Sequence, residues 1–178
     1  MSNFPLEVPE ITFEQAIALT QSLLSQTEAG ESPEMAAAIA ELVKTETGAR
    51  GFFVTYLTSD SAIADNPSTP VVQALQSSPD VVADLLVKNL AMSAAQAVFH
   101  RRNHKEDMAE ASDQVRQRTA RLMELVSLPA VYERSAELLE SATTGEGSYK
   151  AFLERWGYDA EQRQVICKTL QQVNSELK

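Results

Sequence analysis

The sequence predicts an all-α fold: a single-domain bundle of six to eight helices around a hydrophobic central helix near residues 80–102. Two observations predict it. From Val81 to Phe99, fourteen of nineteen residues are apolar, and a helix apolar on nearly all sides belongs in the centre of a bundle. The rest of the chain repeats one punctuation, with small polar residues and prolines where helices begin and glycines where they stop. At 178 residues and 44% apolar composition, the whole of 1–178 fits one domain with its own core.

In chain order, residues 1–11 read as an extended or loosely ordered arm. Thr12-Phe13-Glu14-Gln15 is a capping-box pattern. Phe13, Ile17, Leu23 and Leu24 follow at helical spacing, and Gly30 offers a stop. Ser32-Pro33 opens a second helix whose stripe, Met35, Ile39, Leu42 and Val43, runs on towards Gly48. Gly51–Thr58 has strand-like composition. A lone strand would have no ladder partner, so the segment reads as a short buried helix. Residues 59–69, with Asp60, Asp65, Asn66 and Pro67, form a loop whose acids lack the spacing of a calcium site.

Thr69-Pro70 and Ser78-Pro79-Asp80 repeat the cap-then-proline signal. Beyond the greasy segment, Met108, Ala111, Val115, Leu122 and Val126 continue a helical period to Pro129. A single straight helix over 80–126 would span about 70 Å at ~1.5 Å per residue. A compact chain of this length has a radius of gyration of only about 16 Å. Either the helix breaks, or the molecule is elongated and dimeric. The natural break is Asn103–Lys105, since asparagine tolerates the left-handed cap; Glu106 and Asp107 then fall in the next first turn.

Helices near 129–142, 148–156 and 160–176 complete the pattern. Gly145-Glu146-Gly147-Ser148 reads as a hinge with Ser148 as cap, and Asp159-Ala160-Glu161-Gln162 as a second capping box. Tyr149, Phe152 and Trp156, at helical spacing, read as core, as does Cys167 beside Ile166.

The net charge of −10 is uneven. Residues 1–87 carry all of it, with Lys44 and Arg50 as their only bases; residues 88–178 balance to zero. An acidic half repels phosphate, which disfavours nucleic-acid binding and leaves a basic partner as the alternative use. Asp84, Lys88 and Asn89 interrupt the apolar run, so no membrane span is expected. Met1–Pro5 lacks a signal-peptide pattern, and the lone Cys167 cannot form an internal disulfide. A soluble, cytoplasmic protein is the expectation.

Three constellations are candidates for function. Asn89, Ser93, Gln96 and His100 recur at three- and four-residue intervals on the apolar helix, either as its wet face or as the lining of a ligand pocket. Arg101, Arg102, Lys105 and Arg116, with Arg118 and Arg121 beyond, could meet an anion or acidic partner, or pair with Glu106, Asp107, Glu110 and Asp113. His100, His104 and Asp107 could make a two-histidine, one-carboxylate metal set if one helix ran through them, but three basic neighbours oppose a cation. No Glu-x-x-His, His-Glu-x-x-His or Gly-x-Ser-x-Gly pattern is present, and these residues identify no particular cofactor. The expected function is therefore non-enzymatic: a self-associating interaction or regulatory domain. A bundle binding a small molecule or cofactor through the polar line is the alternative.

Overall fold

Leu86 and Leu90, at the middle of the greasy segment, are fully enclosed in the computed structural model, which describes residues 10–26 and 33–177. The enclosing elements are helices, and no strand occurs among the described residues. In order they are α1 (Phe13–Gln26), α2 (Pro33–Leu42), α3 (Glu46–Thr58), α4 (Thr69–Gln76), α5 (Pro79–Arg102), α6 (Glu106–Val126), α7 (Pro129–Thr144), α8 (Lys150–Trp156) and α9 (Ala160–Leu177), with a 3-10 turn at Ala62–Ala64. Among the described residues these nine helices confirm the all-α bundle and add one to the six to eight expected. The arm's residues 1–9, together with Gly30 and Ser32, lie outside the described residues.

α5 is the axis, packed by α6, α9 and α7 and, at its other flank, by α3 and α4. Its length and composition would suffice to cross a membrane, but most of the apolar stretch is buried inside the fold. α1 lies on α3 and α2 on α4, so the first four helices form a layer over the α5–α6 pair. One core runs through all of it, from Ala16 and Ile39 through Phe52 and Leu86 to Leu138 and Leu170.

Local chemistry sets most boundaries. Thr12 and Gln15 close the expected box, with Thr12 N–H donating to Gln15 Oε1 at 2.9 Å and Gln15 N–H to Thr12 Oγ1 at 3.1 Å. Asp159 and Gln162 do the same at the head of α9, with both bonds at 3.0 Å. Gly51–Thr58 is helical as expected, but it belongs to a longer helix that starts at Glu46. Gly48 therefore does not stop α2, which ends at Leu42; it lies inside α3, where its N–H donates to the cap Thr45 Oγ1 at 3.1 Å. Ser68, not Thr69, caps α4. Tyr149 rather than Ser148 stands at the start of α8, after Gly145 ends α7 in the left-handed conformation at φ 77°. Tyr149 is buried and Phe152 partly so, but Trp156 is 48% exposed and is not core. The Tyr149 hydroxyl donates to Asp84 at 2.8 Å, tying α8 to α5. Burial, then that carboxylate, raises the phenol's pKa and keeps it a donor.

The long helical stretch breaks where expected, at 103–105, but by a different residue. His104, not Asn103, takes the left-handed conformation, with φ 57°. The Lys105 and His104 amides donate to the His100 and Arg101 carbonyls at 2.9 and 3.1 Å, the paired bonds of a Schellman ending. Asn103 instead turns its amide back onto the Phe99 carbonyl at 2.8 Å. The chain thus folds back as an α5–α6 pair.

Two substitutions test these placements. A Cβ on Gly51 would lie 2.5 Å from Ala16 Cβ and 2.9 Å from the Phe13 carbonyl oxygen. Gly51→Ala should therefore lower stability by about 1–3 kcal/mol in urea unfolding, although alanine alone favours a helix by about 1 kcal/mol; a stabilised variant would mean α1 and α3 are further apart. His104→Gly should raise stability by about 1 kcal/mol by relieving the left-handed Cβ clash, and an unchanged midpoint would contradict the Schellman turn.

Candidate functional site

Between α3, α5 and α6 the helices leave an open groove of about 360 Å³. α5 supplies Asn89, Ser93, Gln96 and His100, together with Met92. The polar line read from the sequence therefore faces one cleft, as a single helical face requires. Opposite it, α3 contributes Val54 and Thr58, and α6 contributes Met108, Ala111, Ser112, Gln114 and Val115. Val54 and Met108 are 45% and 48% exposed, unusual for apolar side chains lining a common mouth.

The polar line is neither wholly wet nor wholly enclosed. Ser93 is buried and its hydroxyl donates to the Asn89 carbonyl at 2.8 Å, so that donor is spent. Gln96 is exposed, while Asn89 and His100 are half-buried. His100 Nδ1 is shielded from solvent with no hydrogen-bond partner among the described residues. Its ring meets that of Phe99 edge to face at 5.6 Å. A shielded nitrogen without a partner is poised to gain one from a ligand.

The basic candidates are mostly spent within the fold. Arg101 Nη2 holds Asp113 at 2.6 Å and Glu106 at 3.2 Å. Arg102 clasps Asp159 with both terminal nitrogens and reaches Glu161 at 2.7 Å, joining the end of α5 to the start of α9. Both guanidiniums are held more firmly protonated by these carboxylates. Arg116 shares Asp113 with Arg101, at 3.6 Å, and also lines an α6–α9 cleft with Arg121. Lys105 is exposed at the turn. The structure thus brings Arg101 and Arg116 together, but on the carboxylate of Asp113, while Arg102 turns to Asp159 and Glu161 and Lys105 stays exposed at the turn.

The metal set is also dispersed. α5 ends at Arg102 and His104 sits in the turn, so His100 and His104 no longer share a helix face. Among the described residues no three histidine, cysteine, aspartate or glutamate side chains stand together as cation ligands. Cys167 is half-buried, with Thr143 Oγ1 at 3.7 Å.

Arg118 is the functional-looking residue that sequence reasoning misplaced. It is only 4% exposed and reaches from α6 to the end of α3. Its Nη1 donates to the Leu57 and Ser59 carbonyls at 3.1 and 2.6 Å, and its Nε to Asp65 at 2.8 Å. The Arg118 hydrogen bond holds the Asp65 carboxyl below its ordinary value. This clasp fixes the Val54–Thr58 wall against α6. A buried arginine is signalled by no local pattern, since its partners lie more than fifty residues away.

A protein-family profile described as "Uncharacterised conserved protein UCP020893" matches residues 12–173, and the chain belongs to that family. No curated protein and no solved structure matches it.

The Arg102 clasp has a pH signature. Its hydrogen bond, with the capping amides, lowers the Asp159 pKa from 3.8 to about 2. A carboxylate more acidic when folded stabilises fully above its unfolded value and loses that contribution as pH falls through the folded one. Urea midpoints of wild type and Arg102→Gln should thus differ at pH 6, converge from about pH 4 downwards, and coincide only below about pH 2. A constant gap across that range would show that the clasp is not electrostatic.

Proposed function

We propose that this chain is a non-enzymatic helical binding domain whose working surface is the groove between α3, α5 and α6. One observation carries the reading: Asn89, Ser93, Gln96 and His100 line the groove along one wall and face the mainly apolar side chains of α3 and α6. Convergent polar groups beside an apolar wall describe a ligand site. The volume, about 360 Å³, falls at the small end of the range for such sites, about 300–1,000 Å³. Reaction chemistry has less support. The cysteine has a threonine for company, and the basic residues at the helix ends are tied to carboxylates.

A second reading rests on the rim. Phe99 is 52% exposed on α5 with its ring 5.6 Å from that of the groove residue His100, and Val54 and Met108 of the groove are exposed as well. Exposed apolar residues around one opening suit a protein partner or a second copy of the chain. In that case the groove would be one half of an interface.

Ala111→Trp places a bulky ring in the groove from the α6 side and provides the test. A diverse set of small molecules would be screened by thermal shift on wild type and variant. A true ligand at a hundred times its Kd should stabilise wild type by about 2.7 kcal/mol, a rise of about 5–10 °C for a chain of this size. The variant should not respond. Ligands that raise both proteins equally would put the site elsewhere.

A further inference from the structure

We infer that the groove takes an uncharged molecule with an apolar body and one hydrogen-bonding edge. This rests on the groove being the binding site and adds the chemistry of its occupant. The first argument is charge. In a chain with 22% charged residues, no aspartate, glutamate, lysine or arginine lines this groove, and His100 is its single titratable side chain. The strong cations that flank the line on α5 are both paired, Lys88 with Asp84 and Arg101 with Glu106 and Asp113. An ion entering this cleft would shed water without gaining a counter-charge, which is unfavourable.

The second argument is unspent hydrogen-bonding capacity, most of it in a line along the α5 wall. The Asn89 and Gln96 side chains make no hydrogen bond to other described residues, and His100 Nδ1 has none either. Ser93 has spent its proton on a backbone carbonyl and offers only lone pairs. Asn89 to His100 spans eleven residues of helix, about 16 Å at ~1.5 Å per residue, so the polar edge of the occupant is long and continuous. On the facing wall Val54, Met108, Ala111 and Val115 call for an apolar body; Thr58 there donates to the Val54 carbonyl, Ser112 and Gln114 are its other polar side chains, and methionine adapts to irregular shapes.

The test uses two fluorescent probes that differ by one charged group: N-phenyl-1-naphthylamine and its sulfonate, 8-anilinonaphthalene-1-sulfonate. Both are titrated at pH 8 into the full chain and into Ala111→Trp, with Ser112→Phe as a second groove-filling variant should the first fail to fold. The uncharged probe should bind wild type at least about tenfold more tightly than the sulfonate, and neither filled variant should bind it. Gln96→Leu should weaken prodan, an uncharged naphthalene with a carbonyl acceptor, by about 3–10-fold, the value of one hydrogen bond, and shift its emission to the blue. Equal or tighter binding of the sulfonate, lost in the filled variants, would overturn the uncharged occupant and leave the groove as the site. Prodan emission indifferent to Gln96→Leu would remove the polar edge. Binding of the uncharged probe that survives both filled variants would end the inference and the groove reading together. Concentration-dependent dimerisation that excludes the probe would assign the groove to a second copy of the chain and overturn a small-molecule occupant.

Discussion

Burial of α5 is the constraint on which the rest of the structure depends. Val82, Leu86, Val87, Leu90, Ala91 and Ala95 point in several directions around one helix, and all are inaccessible to water. Each buried leucine is worth roughly 1.5–3 kcal/mol of transfer free energy, so leaving any side of this helix open would forfeit a large part of the fold's stability. Helices must therefore surround it, which accounts for α6, α7 and α9 on one flank and the α1–α4 layer on the other. The wrapping is incomplete along Asn89, Gln96 and His100. Covering those side chains with aliphatic ones would strand their donors and acceptors. The groove is thus a consequence of the same rule that buries the helix.

Legibility followed the range of the interactions involved. The capping boxes Thr12–Gln15 and Asp159–Gln162 are closed by residues three apart, and both could be read directly from the sequence. The apolar character of 81–99 likewise announced its burial. The break near 103–105 was legible as a necessity of size, but not in detail. A Schellman ending needs one left-handed residue at a set distance from the last carbonyls, and the geometry placed His104 there although Asn103 was the better local candidate. Gly48 misled because glycine marks helix ends far more often than the close approach of a neighbouring carbonyl, that of Leu42. Of the candidate site, the polar line was legible because periodicity alone fixes a shared face. The opposite wall, from α3 and α6, was not, since only tertiary packing sets it there.

Charge in the two halves of the chain is organised differently. In the second half, arginines are used between elements: Arg101 holds the start of α6, Arg102 the start of α9, and Arg118 the loop after α3. In the first half, Lys44 pairs with its neighbour Glu41 and Arg50 lies over the Phe13 ring at 5.5 Å. The acids of that half have no other base of their own; among the described residues Glu14, Glu34, Glu41 and Glu46 lie on α1–α3, Asp60 and Asp65 in the loop after α3, and Asp80 and Asp84 on α5. Exposed pairs of this kind contribute little to stability; their arrangement bears on which face of the molecule a charged neighbour would meet first.

The Arg118 clasp also orders events during synthesis. The Leu57 and Ser59 carbonyls and the Asp65 carboxylate emerge from the ribosome well before the guanidinium that satisfies them, 53 to 61 positions later. Until α6 arrives, the end of α3 must keep those oxygens hydrated and cannot settle against its neighbours. The wall of the groove consequently lacks its support until α6 has emerged, and a nascent chain halted before α6 would carry α5 with one of its largest covers missing.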